Sequence, residues 1–183
     1  MAEKLIPQHH RSGRILDIGC GEYPLFLANT TFSEKIGLDA FIEAGYKDSI
    51  NDPHLNLIQH DIESSGYIPS ESNYFDIVTM LAVIEHINPN VLPAILQEIK
   101  RVLKPEGIFI MTTPIKWISG LLRIMAKLRL VSPIEINDHK AAYTLQTLFF
   151  LLKQAGFSPS NLHGGYFELG MNCWVTAVKE RVS

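Results

Sequence analysis

The sequence predicts an α/β fold: a doubly wound, mostly parallel sheet of seven strands that ends in an antiparallel C-terminal hairpin strand. Five short apolar runs, "RILDIG", "KIGLDA", "LNLIQHD", "FDIVTML" and "GIFIMTT", alternate with helix-patterned stretches. Runs that are apolar on both faces, or nearly so, are how central parallel strands read. Two further strand candidates, in "FSPSNLHGGYFEL" and "MNCWVTAVKE", are joined by a short turn around Gly170 and read as a hairpin. Alternating β and α followed by a terminal hairpin gives a parallel sheet with one reversed strand.

Between the strands, "PLFLANTTF" and "FIEAGYKDSI" are helical patterns. In "PNVLPAILQEIKRVLKP", Val91, Ile95, Ile99 and Val102 or Leu103 recur at helical spacing, and Pro105 with Gly107 is expected to close the helix. "TLQTLFFLLKQAG" is a helix stopped by Gly156. No internal repeat and no low-complexity linker interrupts the order. At 183 residues, against roughly 100–200 per domain, residues 1–183 are expected to form one domain.

Composition excludes several classes. A net charge of −3, with 46% hydrophobic and 19% charged residues, is the profile of a globular protein without the basic surplus that nucleic-acid binding needs. Only Cys20 and Cys173 are present, and "MAEKLIPQHHRSG" holds no apolar core of signal-peptide length, so a cytoplasmic protein is the expectation. "WISGLLRIMAKLRLV" is broken by charges short of the roughly 20 apolar residues of a membrane span.

The chemistry is expected at the carboxyl ends of the strands, where open α/β sheets bind ligands. The first strand ends in Asp17, Gly19, Cys20 and Gly21. The glycines let the backbone turn tightly and approach a ligand, and Asp17 can accept from a cationic group or, alternatively, cap the next helix. No Lys-Ser/Thr follows, which excludes a Walker loop, and a third glycine is missing from the dinucleotide position near Pro24. Asp39 ends the second strand and Asp61 the third. A carboxylate at the second tip suits ribose hydroxyls. Asp61 is placed for an adenine amino group with the Ile62 N–H beside it, and Ala40 and Phe41 supply an apolar wall. Asp76 begins its strand away from this edge and reads as structural; Cys20 reads as a small turn residue.

"ILDIGCG", "GLDA", "HDIES", "FDIVTMLAVIEHI", "RVLKPEGIFIMTTP" and "LLKQAGF" resemble, in order and spacing, the class I S-adenosylmethionine-dependent methyltransferases, in particular the type 11/12 group of small-molecule enzymes. The resemblance implies a Rossmann-like fold and S-adenosyl-L-methionine as cofactor. It puts Asp17, Gly19, Cys20 and Gly21 around the methionine part, Asp39 at the ribose, Asp61 and Ile62 at the adenine edge, and Leu81 with Ala82 along the site after the fourth strand. One departure is Tyr23 and Pro24 where the family often has a third glycine.

The resemblance implies methyl transfer to a small-molecule or lipid- or sugar-linked acceptor, with a hydroxyl oxygen favoured. Such a transfer rests on alignment, so a clear catalytic residue is not required. His86 in "EHI" and His139 in "NDHKAAYT" are the two candidates for a base; the other histidines lack metal-ligand spacing, and no catalytic metal is expected. Residues 114–140 form an insertion after the fifth strand that is expected to close the site, with a second copy of the chain as the alternative. Residues 116–130 within it are basic and amphipathic, either a helix packed on the sheet or a membrane-surface contact for a lipid-linked substrate. A protein of different class remains open: a non-catalytic partner subunit on the same fold.

Overall fold

The computed structural model describes residues 1–42, 52–115 and 143–181. Seven strands form one sheet: β1 (Arg14–Ile18), β2 (Glu34–Asp39), β3 (Leu55–Gln59), β4 (Phe75–Leu81), β5 (Leu103–Pro114), β6 (Leu162–Phe167) and β7 (Asn172–Val178). Their spatial order is β3-β2-β1-β4-β5-β7-β6. The first five are mutually parallel, and β7 runs antiparallel to both β5 and β6. The direction of strand addition reverses between β1 and β4, the switch point at which such sheets open a crevice.

Both faces are covered, which explains the near-continuous apolar strands. Leu16, Ile18, Val78, Met80, Phe109 and Met111 face one cluster, whereas Ile15, Ile77, Ile108 and Ile110 face the other. The first cluster is roofed by α4 (Leu92–Val102) and α5 (Leu145–Gln154). Leu92, Ile95, Leu96, Ile99 and Val102 are all buried, the spacing of a single helical stripe. Each such side chain contributes at most about 1.5–3 kcal/mol on burial. The second cluster packs beneath α1 (Ala2–Leu5) and α2 (Leu25–Ala28), through Ala2, Ile6 and Leu27.

Three expectations are corrected. The helical pattern of residues 24–32 yields only the four-residue α2, and most of "FIEAGYKDSI" lies outside the described residues. β3 is an edge strand with Asn56 and Gln59 exposed, so it is not apolar on both faces. The third concerns α4, which ends at Val102 rather than at Pro105, with β5 starting at once as Leu103 pairs with Phe75. A bulge then carries the register to Ile77 and Ile108, with Glu106 at φ 65°. The open helix end is satisfied from far along the chain: Lys179 Nζ donates to the carbonyls of Lys100 and Leu103 at 2.7 Å each and of Arg101 at 3.3 Å.

Asp76 is structural, as expected: it accepts from the Arg14 amide at 2.8 Å and from Lys104 at 2.7 Å. The terminal hairpin turns through Glu168, Leu169 and Gly170, all with positive φ, which matches the twist of the strands it joins. No helix among the described residues is long and apolar enough to cross a membrane.

Candidate functional site

The turn after β1 is the centre of the site. Gly19 and Gly21 both adopt left-handed backbone, at φ 71° and 75°. At Gly19 a side chain is excluded twice over, because a Cβ there would sit 2.3 Å from Val83. The Gly19 amide donates to the Leu38 carbonyl at 2.7 Å, which ties the turn to the end of β2. Asp39 completes the tie: one carboxylate oxygen accepts from the Gly21 amide at 2.8 Å, the other from the Phe41 amide at 3.0 Å. A carboxylate has about four acceptor positions, so two of them remain for a ligand.

Asp17 sits differently. It is 3% exposed, lies under the turn, and accepts from Thr79 Oγ1 at 2.6 Å across the β1–β4 pairing. Burial pushes its carboxyl up to about 7, a rise opposed by the Thr79 hydrogen bond and reinforced by the neighbouring charge of Asp39. It caps no helix. Burial also holds the Cys20 thiol up at about 12, with the charges of Asp17 and Asp39 adding to it, which makes it a packing group and not a nucleophile at neutral pH.

Asp61 is the N-cap of α3 (Ile62–Ser65), accepting from the Glu63 amide at 2.9 Å, the Ser64 amide at 3.3 Å and the Ser64 hydroxyl at 2.5 Å. The Ser64 hydroxyl is the chief cause holding its carboxyl below the ordinary aspartate value. A cleft of about 340 Å³ opens between these strand ends, within the size of small-molecule sites. Gly19, Asp39, Ala40, Asp61, Ile62, Ala82 and His86 line it. His86 lies on the 3₁₀ turn Ile84–His86 that follows β4.

Asp17, Cys20, Gly21, Phe41 and Leu81 stand outside that lining. Phe41 is 73% exposed, and Leu81 packs with the cluster on the opposite sheet face. His139 and the basic stretch 116–130 lie outside the described residues, as does the 114–140 insertion apart from Pro114 and Ile115. Sequence reasoning missed His60, which lines the cleft and shares Nε2 contacts with Ser65 Oγ at 2.8 Å and the Tyr67 carbonyl at 2.9 Å. It also missed Val83 and Ile87, apolar lining whose signal was the "AVIEHI" run already in view. No group of side chains with metal-ligating potential occurs among the described residues.

Residues 16–111, more than half of the chain, match the methyltransferase domain family. The demethylmenaquinone methyltransferase of Symbiobacterium thermophilum is 32% identical over 123 residues, which is 63% of this chain and 48% of that protein. The chain spans about half the length of the curated relatives it matches. Among solved structures, an S-adenosylmethionine-dependent methyltransferase from Archaeoglobus fulgidus superimposes with TM-score 0.69 at 17% identity, covering 97% of this chain and 90% of that one. The phosphoethanolamine N-methyltransferase 2 of Haemonchus contortus, in complex with phosphomonomethylethanolamine and S-adenosylhomocysteine, superimposes with TM-score 0.72 at 15% identity, covering 98% of this chain and 51% of that one. A family match running from β1 into β5, on a sheet of this strand order, places the chain in the methyltransferase domain family, with the class I S-adenosylmethionine-dependent methyltransferase fold.

Proposed function

We propose that the chain transfers a methyl group from S-adenosyl-L-methionine to a small-molecule acceptor, with an oxygen as the receiving atom. The observation that carries this reading is the Asp39 carboxylate, which braces the glycine turn through the Gly21 amide and accepts from the Phe41 amide while still lining the cleft. In this reading its spare lone pairs take the ribose hydroxyls, Asp61 and the Ile62 amide take the adenine edge, and Ala40 with Phe41 covers the ring. Asp17, beneath Gly19, Cys20 and Gly21, balances the charge of the methionine ammonium. Ala82 continues the wall after β4.

The sulfonium supplies an activated methyl group, so the chain's task is to hold the acceptor in line and keep water out, which is worth about 7–11 kcal/mol of barrier in well-oriented cases. His86 is positioned at the cleft to receive the proton that the acceptor hydroxyl releases as its oxygen gains the methyl. His139 remains the other proposed base, and the 114–140 insertion the proposed cover, within a single domain.

Incubation with methyl-tritiated S-adenosylmethionine and a set of neutral phenols headed by 1,4-dihydroxynaphthalene tests the reading. Label extracted into the organic phase with the native chain, and lost in a His86→Ala variant, is the expected result. Retention of S-adenosylhomocysteine binding without label in any acceptor would favour the partner-subunit reading instead.

A further inference from the structure

His60 follows β3 directly and lines the cleft beside Ala40, Asp61 and Ile62. Its amide donates to the Asp39 carbonyl at 2.7 Å, which holds the end of β3 against that of β2. The ring is fixed from the other side. Nε2 lies 2.8 Å from Ser65 Oγ and 2.9 Å from the Tyr67 carbonyl, and the ring meets that of Tyr67 edge-on, with centroids 5.0 Å apart.

These contacts also place the proton. A carbonyl oxygen only accepts, so Nε2 must carry a hydrogen to face the Tyr67 carbonyl at that distance. Ser65 is consistent with this: its hydroxyl donates to the same carbonyl at 3.3 Å and leaves its oxygen to accept from Nε2–H. In a neutral imidazole whose hydrogen is on Nε2, Nδ1 is an acceptor. Nδ1 has no hydrogen-bond partner among the described residues. The tie to the end of α3 therefore accounts for one nitrogen of a cleft-lining side chain and leaves the other unused.

The neighbouring carboxylate has little capacity to spare. Of about four acceptor positions on a carboxylate, Asp61 spends three, on the Glu63 amide, the Ser64 amide and the Ser64 hydroxyl. One remains. The amino group of adenine brings two N–H donors, and a donor that leaves water without finding an acceptor costs affinity. Asp61 can serve one of them, and the second needs another acceptor in the same cleft.

We propose that His60 Nδ1 accepts the second N–H of the cofactor's adenine amino group and so selects adenine over a 6-oxo purine. A 6-oxo base would turn a carbonyl oxygen toward the Nδ1 lone pair, with no hydrogen between two acceptors. This rests on the cofactor assignment within the methyl-transfer reading and adds to it the residue that reads the base.

The test is calorimetric titration at pH 8 with S-adenosylhomocysteine and with its 6-oxo counterpart, S-inosylhomocysteine, on the native chain, His60→Gln and His60→Ala. A glutamine amide nitrogen reaches as far as Nε2 and keeps a donor for the Tyr67 carbonyl, but it puts no acceptor at Nδ1. The native chain should prefer S-adenosylhomocysteine. The ratio of the two dissociation constants should shrink about three- to tenfold in His60→Gln, the loss of one hydrogen bond, with Tm near the native value. His60→Ala should lose the same preference and some Tm as well. If His60 only ties down α3, His60→Gln will keep the native ratio and His60→Ala will weaken both ligands alike. Either result would overturn the proposal, as would a native chain without preference for the amino ligand. Should His60→Gln not fold, the ratio in His60→Ala decides by itself. Unchanged ratios with S-adenosylhomocysteine still bound would leave the methyl-transfer reading standing. A folded native chain that binds neither compound would overturn that reading and the proposal together.

Discussion

On the β1–β3 side of the sheet, Asp39 and Asp61 are satisfied by backbone amides of the segments that follow β1, β2 and β3. Asp39 accepts from Gly21 and Phe41, and Asp61 from Glu63 and Ser64. On the β4–β5 side, the buried Glu85 accepts from a side chain 28 residues away, and the buried Tyr143 phenol has no hydrogen-bond partner among the described residues. The first side is a rigid cradle with its remaining lone pairs facing a cleft. The second is a dry polar group held between distant parts of the chain. The cleft-facing half is thus prebuilt from local turns, and the other half is assembled from distant residues.

The comparison breaks most visibly at Asp39. Asp39→Ala removes a charge-assisted hydrogen bond worth about 1.5–3 kcal/mol, so the dissociation constant for S-adenosylhomocysteine should rise by about ten- to a hundredfold. Far-ultraviolet circular dichroism should stay native. An unchanged affinity in a folded variant would take Asp39 out of the site.

Thr113→Val tests the other side. It leaves the buried Glu85 carboxylate without the hydroxyl it accepts from, at a cost of about 1–3 kcal/mol. Denaturant midpoints should fall accordingly while S-adenosylhomocysteine affinity is kept. Equal loss of both would mean that the two sides are not separable.

A smaller effect follows from the Asp17 carboxyl, which burial raises to about 7 in the folded chain from 3.8. Between those values the folded chain binds more protons than the unfolded one, so this group's contribution to stability falls as pH rises from about 4 to 7 and is level outside that window. Asp17→Asn should flatten that part of the stability profile. A cofactor ammonium favours the ionised form, so native affinity for S-adenosylhomocysteine should rise about tenfold from pH 6 to 8. The Asn variant should show no such rise; parallel profiles would separate Asp17 from the cofactor.

The smallest effect is expected at Asp61. Asp61→Ala removes the cap of α3, costing about 0.5–2 kcal/mol of stability, with only a few-fold loss of cofactor affinity. Thermal melts beside calorimetry separate the two, and a loss of affinity as large as that of Asp39→Ala would give Asp61 the larger share of the site.

The legibility of the molecule follows the same division. Gly19, Gly21, Asp39 and Asp61 could be read because strand ends and glycine turns are local, and three acids on adjacent strands share one edge by topology. The face that Asp17 takes was not readable, since strand parity places it with Ile15 and against Thr79, 62 residues on. Asp61 was assigned to a ligand, and the structure gives it a capping duty as well. The end of α4 was misplaced for a related reason. Pro105 and Gly107 look like a local stop, yet the helix carbonyls are met by Lys179, 79 residues past Lys100, and the proline and glycine serve a bulge in β5. Tyr143 reads as a core aromatic from any local pattern. Its unpaired hydroxyl emerges only when the ends of β4, β5 and α5 are brought together.

Calorimetric titration of the native chain with S-adenosylhomocysteine at pH 8 tests the account most directly, because every assignment on the β1–β3 side depends on that ligand entering the cleft. The account predicts saturable binding at one site per chain, weakened in Asp39→Ala by the factor given above. A folded native chain that gives no binding heat at millimolar ligand, and no rise in Tm with it, would contradict the account.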